Sequence, residues 1–163
     1  MFSSLTRRAG IATGLAALAL AAVAVAVAPA AADAKTFTAD ATNYTSDSDL
    51  IDPQTQVTGG NLDGTPKNVA WGSLVNPAFS ATGTSAFSGL WGRIQYQIRD
   101  NVSGITLGHA TVEFSVPVIG YDSATCSVDS NAERWGYDCS IRGVPTGSDP
   151  RVEMVFKKGS RSS

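Results

Sequence analysis

One histidine, two cysteines and 14 acidic side chains are the groups with which this 163-residue chain could do chemistry. The single histidine, His109, would need a nucleophile beside it to work as a general base. No Gly-x-Ser-x-Gly turn or comparable nucleophile motif accompanies it. His109 falls on the polar side of an alternating run, where a solvent-facing or hydrogen-bonded role suits it. The acidic residues are densest at Asp47, Asp49 and Asp52, with Asp40 and Asp63 nearby in sequence. Oxygen-rich loops can hold calcium, but the D-x-[DN]-x-[DN]-G-x₅-E spacing of an EF-hand is absent. A solvated acidic loop is the expectation. A glycosidase needs two carboxylates a set distance apart across a cleft; of Glu113, Glu133 and Glu153, the first and last sit on outward strand faces. We therefore expect no catalytic residue, no bound metal and no cofactor.

Cys126 and Cys139 are too far apart for a Cys-x-x-Cys redox motif, and one histidine cannot complete a zinc site with them. In an oxidising compartment such a pair reads as a disulfide. Closing a loop of this length stabilises a fold by about 3 kcal/mol in the chain-entropy account. The aromatics are the other notable group. Trp71, Trp91 and Trp135 each precede a glycine, which suits a core residue at a strand end. Exposed in a loop, Trp and Tyr are instead the side chains of membrane interfaces and sugar-binding surfaces. Trp91, Tyr121, Trp135 and Tyr137 are the candidate ligand contacts, and the stretch between the cysteines is the first place to look.

Where these residues work is set by the N-terminal segment. Arg7 and Arg8 precede an apolar run from Ile11 to Ala28, and Ala32-Asp33-Ala34 offers an A-x-A cleavage site before Lys35. That order of charge, apolar stretch and small residues is a secretory signal peptide over residues 1–34. Ala28-Pro29-Ala30 is a second candidate cut. An uncleaved anchor is the rival, since about twenty apolar residues span a bilayer, but alanine dominates the run and Pro29 suits a cleavage site better. Two arginines are ordinary in any such leader, so general export is favoured over the twin-arginine route. The expected product is secreted. The leader holds two of the 12 basic residues and one of the 14 acidic ones, leaving ten against thirteen in the exported part. A mildly acidic domain lacks the basic surface that nucleic acid requires, and it lacks broad attraction to anionic lipid.

Strands must position the candidates, because Gly, Ser, Thr, Asn, Asp and Pro interrupt every apolar run before helical periodicity builds up. Ile94, Tyr96 and Ile98 alternate with Arg93, Gln95, Gln97 and Arg99, the period of a half-buried strand over 92–99. Asp100–Gly104 is a turn, and the next strand runs to Val116 with Ala110, Val112, Phe114 and Val116 on one face. Ile105 and Leu107 are out of phase with that face, so Gly108 marks a bulge. Pro117 ends the strand. Further strands are expected at 36–42, 54–58, 68–73, 84–90, 124–128, 137–141 and 151–157. The cysteines fall on two of these, on either side of Asp129-Ser130-Asn131. Tyr44–Asp52 and Thr58–Thr65 read as exposed loops. The fold class is all-β, a single antiparallel β-sandwich over 35–157, with a polar tail over 158–163.

The order of short motifs resembles the aegerolysin family, particularly its bacterial crystal-protein-like secreted members. Trp71-Gly72-Ser73 is followed by Thr82-Gly83-Thr84, then by Ile94-Gln95-Tyr96, then by Val112–Asp122, which runs through Pro117 to Gly120. The similarity covers roughly residues 36–126. Two departures stand out. The chain has Phe114-Ser115-Val116-Pro117 where the family has Trp-Asp before the proline, and Ser85-Ala86-Phe87 where it has an acidic residue. The resemblance implies a β-sandwich with a lipid-binding or membrane-active role, often with a second protein for pore formation. The expected function is thus a secreted, non-enzymatic binding protein whose partner is membrane lipid. The alternative is a structural module that meets a cell-envelope component or a protein partner.

Overall fold

Alternation of apolar and polar side chains organises the computed structural model, which describes residues 34–159. The expected export leader lies outside the described residues, Ala34 apart, as does the tail beyond Gly159. The strands are β1 (Thr36–Asn43), β2 (Ser48–Thr58), β3 (Gly60–Leu62), β4 (Leu74–Gly83), β5 (Leu90–Asp100), β6 (Thr106–Val116) and β7 (Ser123–Val128). A single helical turn, α1 (Ser130–Arg134), precedes β8 (Tyr137–Arg142) and β9 (Arg151–Lys158). They form a five-stranded sheet in the order β3-β4-β1-β9-β8 and a four-stranded sheet in the order β2-β5-β6-β7. Neighbours pair antiparallel except β1 and β9, which run parallel at the centre of the larger sheet. The sandwich is as expected.

The inner faces supply the core. Ile94, Tyr96 and Ile98 of β5 and Ala110, Val112, Phe114 and Val116 of β6 are buried, as their phase requires. From the other sheet come Phe37, Ala39, Val152, Met154 and Phe156. Phe37 stacks on Phe114 across the sandwich with ring centroids 4.2 Å apart, and Phe79 lies beside both. Gly92 makes room for this stack: a Cβ there would come within 2.2 Å of the Phe114 ring. At Gly108 the β5–β6 register shifts, which is the expected bulge. The same glycine has φ 150°, and a Cβ would lie 2.4 Å from Asp129 Oδ1 and 2.7 Å from the Ala132 backbone nitrogen. Its missing side chain lets α1 sit down on β6.

The disulfide joins Cys126 of β7 to Cys139 of β8, with Cα atoms 5.3 Å apart. These are edge strands of different sheets, so the bond closes one side of the sandwich rather than tying two hydrogen-bonded neighbours.

Four expectations about elements need correction. Residues 68–73 form no strand; only Val69 bridges, exchanging both backbone bonds with Leu50. Residues 84–89 are a turn, because the hydroxyls of Thr84, Ser85 and Ser88 bond locally and to the Gly59 carbonyl and compete with a ladder. β4 was hidden by Pro77, which has no N–H to give a ladder but falls beside the register shift between β1 and β4. The acidic segment is not all loop: Ser48 and Leu50 are buried on β2. In addition, Thr58–Thr65 contains the short β3, and the turn after β7 continues into α1.

Candidate functional site

The strand order sends the connecting loops to opposite ends of the sandwich. At one end lie the β4–β5 turn (84–89), the β6–β7 loop (117–122) and the β8–β9 loop (143–150). Backbone contacts hold them near one another. Gly83 N donates to the Lys35 carbonyl, Thr84 N to that of Gly59, Thr36 N to that of Ser148, and the Lys35 ammonium bonds the Pro117 carbonyl. Gly89 lies against Pro117.

These three loops expose apolar side chains that the core does not use. Phe87 is 84% exposed, Ile119 92%, Tyr121 97% and Val144 77%. Each sits among turn-forming residues: Ser88-Gly89 after Phe87, Gly120 after Ile119, and Gly143 and Pro145 around Val144. Gly120 and Gly143 take positive φ of 117° and 94°. A residue held in such a turn has no sheet face to hide on. A cleft lined by Gly120, Tyr121, Asp122, Val144, Pro145, Thr146 and Gly147 separates two of the loops. Asp122 and Asp149 are the only charged side chains within the three segments.

Of the four aromatic candidates, Tyr121 belongs to this end. Trp91 lies just beneath it on the outer face of β5, opposite Thr58 and Ser115, and is 37% exposed. Trp135 is at the other end of the molecule, at the C-terminus of α1, and is half exposed. Tyr137 is 3% exposed at the start of β8 and stacks on Phe156 with centroids 5.4 Å apart. The four do not form one surface. Phe87, Ile119 and Val144 were not singled out in the sequence, although an apolar residue inside a Gly/Pro/Ser turn is a legible signal of exposure.

The opposite end also exposes apolar side chains, among them Trp71, Leu74, Val102 and Ile105, but sets them beside charged and hydrogen-bonded groups. Asn43, Thr45 and Ser48 are buried there. The Asn43 amide donates to the carbonyls of Ser48 (2.8 Å) and Val69 (3.2 Å), and its oxygen accepts from Thr45 N (3.0 Å). The Tyr137 hydroxyl is hydrogen-bonded with Ser48 Oγ, and both hydroxyls reach Asp47 Oδ1, at 3.2 Å from Tyr137 and 3.0 Å from Ser48. Asp47 also pairs with Lys158, whose ammonium stands 4.9 Å over the Tyr137 ring. Partial burial pushes the Asp47 carboxyl up. Hydrogen bonds from Lys158, Ser48 and Tyr137, with the Lys158 charge, outweigh that and leave it below the ordinary value.

His109 Nδ1 lies 2.9 Å from Asp129 Oδ2, and the other Asp129 oxygen caps α1 by accepting from Ala132 N at 2.9 Å. Burial raises the Asp129 carboxyl, but these bonds bring it below its usual range. The dyad secures the helix to β6. Asp49 accepts from Trp71 N at 2.8 Å, and among the described residues no three His, Cys, Asp or Glu side chains converge as metal ligands. No helix of the described residues is long and apolar enough to cross a membrane.

No protein-family model matches the chain, and no curated protein matches it. A solved structure does. RahU, a protein of the aegerolysin family crystallised in complex with a Tris molecule, aligns with a TM-score of 0.55 at 16% sequence identity. The match covers 78% of this chain and 98% of RahU. At that identity the likeness is one of fold. It agrees with the family resemblance seen in the motif order at the level of the sandwich.

Proposed function

We propose that the chain is a secreted, non-enzymatic protein that docks on membrane lipid through the loop end bearing Phe87, Ile119, Tyr121 and Val144. The observation that carries this reading is the projection of four exposed apolar side chains from three adjoining loops with almost no charge among them. Exposed apolar patches on soluble proteins mark interaction surfaces, and aromatic side chains favour the boundary between headgroups and acyl chains. The aegerolysin-like fold fits the same role. With that end on a bilayer, Trp71 and Trp135 at the far end face solution, where a protein partner has access.

Co-sedimentation of residues 35–163 with liposomes of varied headgroup, sphingolipid included, tests the reading. Full burial of a side chain such as Phe is worth about 1.5–3 kcal/mol, so Phe87→Asp should weaken binding about tenfold or more. Tyr121→Asp should act in the same direction, and Trp135→Ala should leave binding unchanged. Absence of binding to every lipid composition would remove the membrane role. A second reading, a cell-envelope module, rests on the outer face of the four-stranded sheet.

A further inference from the structure

A shallow hollow on that outer face belongs to neither loop end. It lies between β5 and the edge strand β2, and is lined by Gln54, Thr55, Gln56, Arg93 and Gln95. Register sets Gln54 across from Gln95 and Gln56 across from Arg93. The hollow has a local cause. Between Ile51 and Gln54 the β2–β5 register slips, and Asp52 takes φ 49° ahead of Pro53. Such a bulge bends an edge strand and re-aims the side chains beyond it.

The lining is hydrogen-bonding and uncharged in sum. Arg93 faces Glu113 at 3.8 Å, both about half exposed. The Gln95 amide nitrogen reaches Thr111 Oγ1 at 3.3 Å, leaving its carbonyl oxygen available. The Gln54 amide makes only a 3.5 Å contact with the Asp52 carbonyl. Each carboxamide offers two donors and an acceptor. Trp91 stands two residues before Arg93 on the same face, about 7 Å along the strand. An anionic ligand would find one guanidinium already balanced by a carboxylate, and an apolar ligand would meet three carboxamides, a hydroxyl and a guanidinium. A sugar suits this lining on both counts: its hydroxyls both donate and accept, and its C–H face stacks on an aromatic ring.

We propose that this hollow binds an uncharged polysaccharide chain, with Gln54, Gln56, Arg93 and Gln95 bonding its hydroxyls and Trp91 stacking on a ring. A polymer is favoured over a single sugar because the hollow has a floor and no roof. It opens sideways at β2, and with Trp91 beyond its edge the surface from Trp91 to Gln95 spans about 14 Å along β5. A chain lying across it gathers contacts that one ring could not.

The test is retention of the 35–163 protein on insoluble cellulose, chitin and β-glucan, with immobilised heparin as the acidic comparison. The expected result is retention on at least one uncharged polymer and less on heparin. Removing two or more hydrogen bonds of about 1 kcal/mol each in a Gln54→Ala/Gln56→Ala double variant should lower retention about tenfold or more. Both sites are on the surface, so an unchanged melting temperature will verify that the variant is folded. Phe87→Asp should retain polysaccharide as the unmodified protein does, which separates this site from the lipid-docking loops. Failure to bind any of the three uncharged polymers would overturn the proposal. So would stronger binding to heparin, equal retention of the double variant, or loss of retention in Phe87→Asp.

Discussion

Tyr96 is buried at the centre of the sandwich, and its hydroxyl is the one buried side-chain polar atom without a hydrogen-bond partner among the described residues. Burial alone drives its pKa well above the usual tyrosine value. Because the buried phenol stays neutral while the unfolded one ionises, stability does not depend on this group below the unfolded pKa of about 10 and falls as pH rises from there toward the native pKa. Removing an unsatisfied buried hydroxyl is close to neutral or favourable. Tyr96→Phe should therefore leave the melting temperature at pH 7 unchanged or raised, and should make the protein more resistant than its parent above about pH 10, as thermal melts across pH will read. Asp47 has the opposite sign. Its carboxyl lies below the ordinary value, so its contribution is present above about pH 4 and is lost as acid protonates it. Asp47→Asn should lower stability at pH 7 and flatten the fall in melting temperature on the acid side.

At the scale of elements, the disulfide is the clearest lever. It links the edge strands of the two sheets, which on that side are otherwise joined through the α1 connection. Reduction should lower stability by about 3 kcal/mol, and the protein should stay folded because the Phe37–Phe114 core lies elsewhere. A melting temperature unaffected by reductant would show that the bond contributes nothing. The elements best foreseen from sequence, β5 and β6, have one face buried and one face wet, so alternation is complete along them. β4 and the first half of β2 escaped because prolines interrupt their patterns, and a proline at a register shift looks in sequence like a proline in a loop. α1 escaped because one capped turn has no periodicity to read. The candidate site was legible only in part: Tyr121 stood out as an aromatic beside a turn, but Tyr137 carried the same signal and is core. Only the position of Phe156 across the sheet decides between them.

For the whole molecule, the two ends differ in chemistry. One has exposed apolar loops with Asp122 and Asp149 as their only charges; the other mixes exposed apolar side chains such as Val102 and Ile105 with the Asp47–Lys158 pair and the Asp129 cap. Docking by the first end would be hydrophobic in origin. Salt screens interactions between exposed charges over about 8–10 Å at physiological strength and leaves apolar burial intact. Binding to zwitterionic liposomes should thus persist from low to high salt, as co-sedimentation across a salt series will measure. Release by salt would point to the charged end instead. The central place of β9 bears on when the molecule can form at all. Its strand lies between β1, the first strand of the chain, and β8. Until residues 151–158 arrive, the larger sheet is two separate fragments and β1 has one bare edge. A chain emerging N-terminus first cannot complete its core strand by strand. It must wait for residues 151–158, a delay that would suit the proposed export through a narrow pore in an unfolded state.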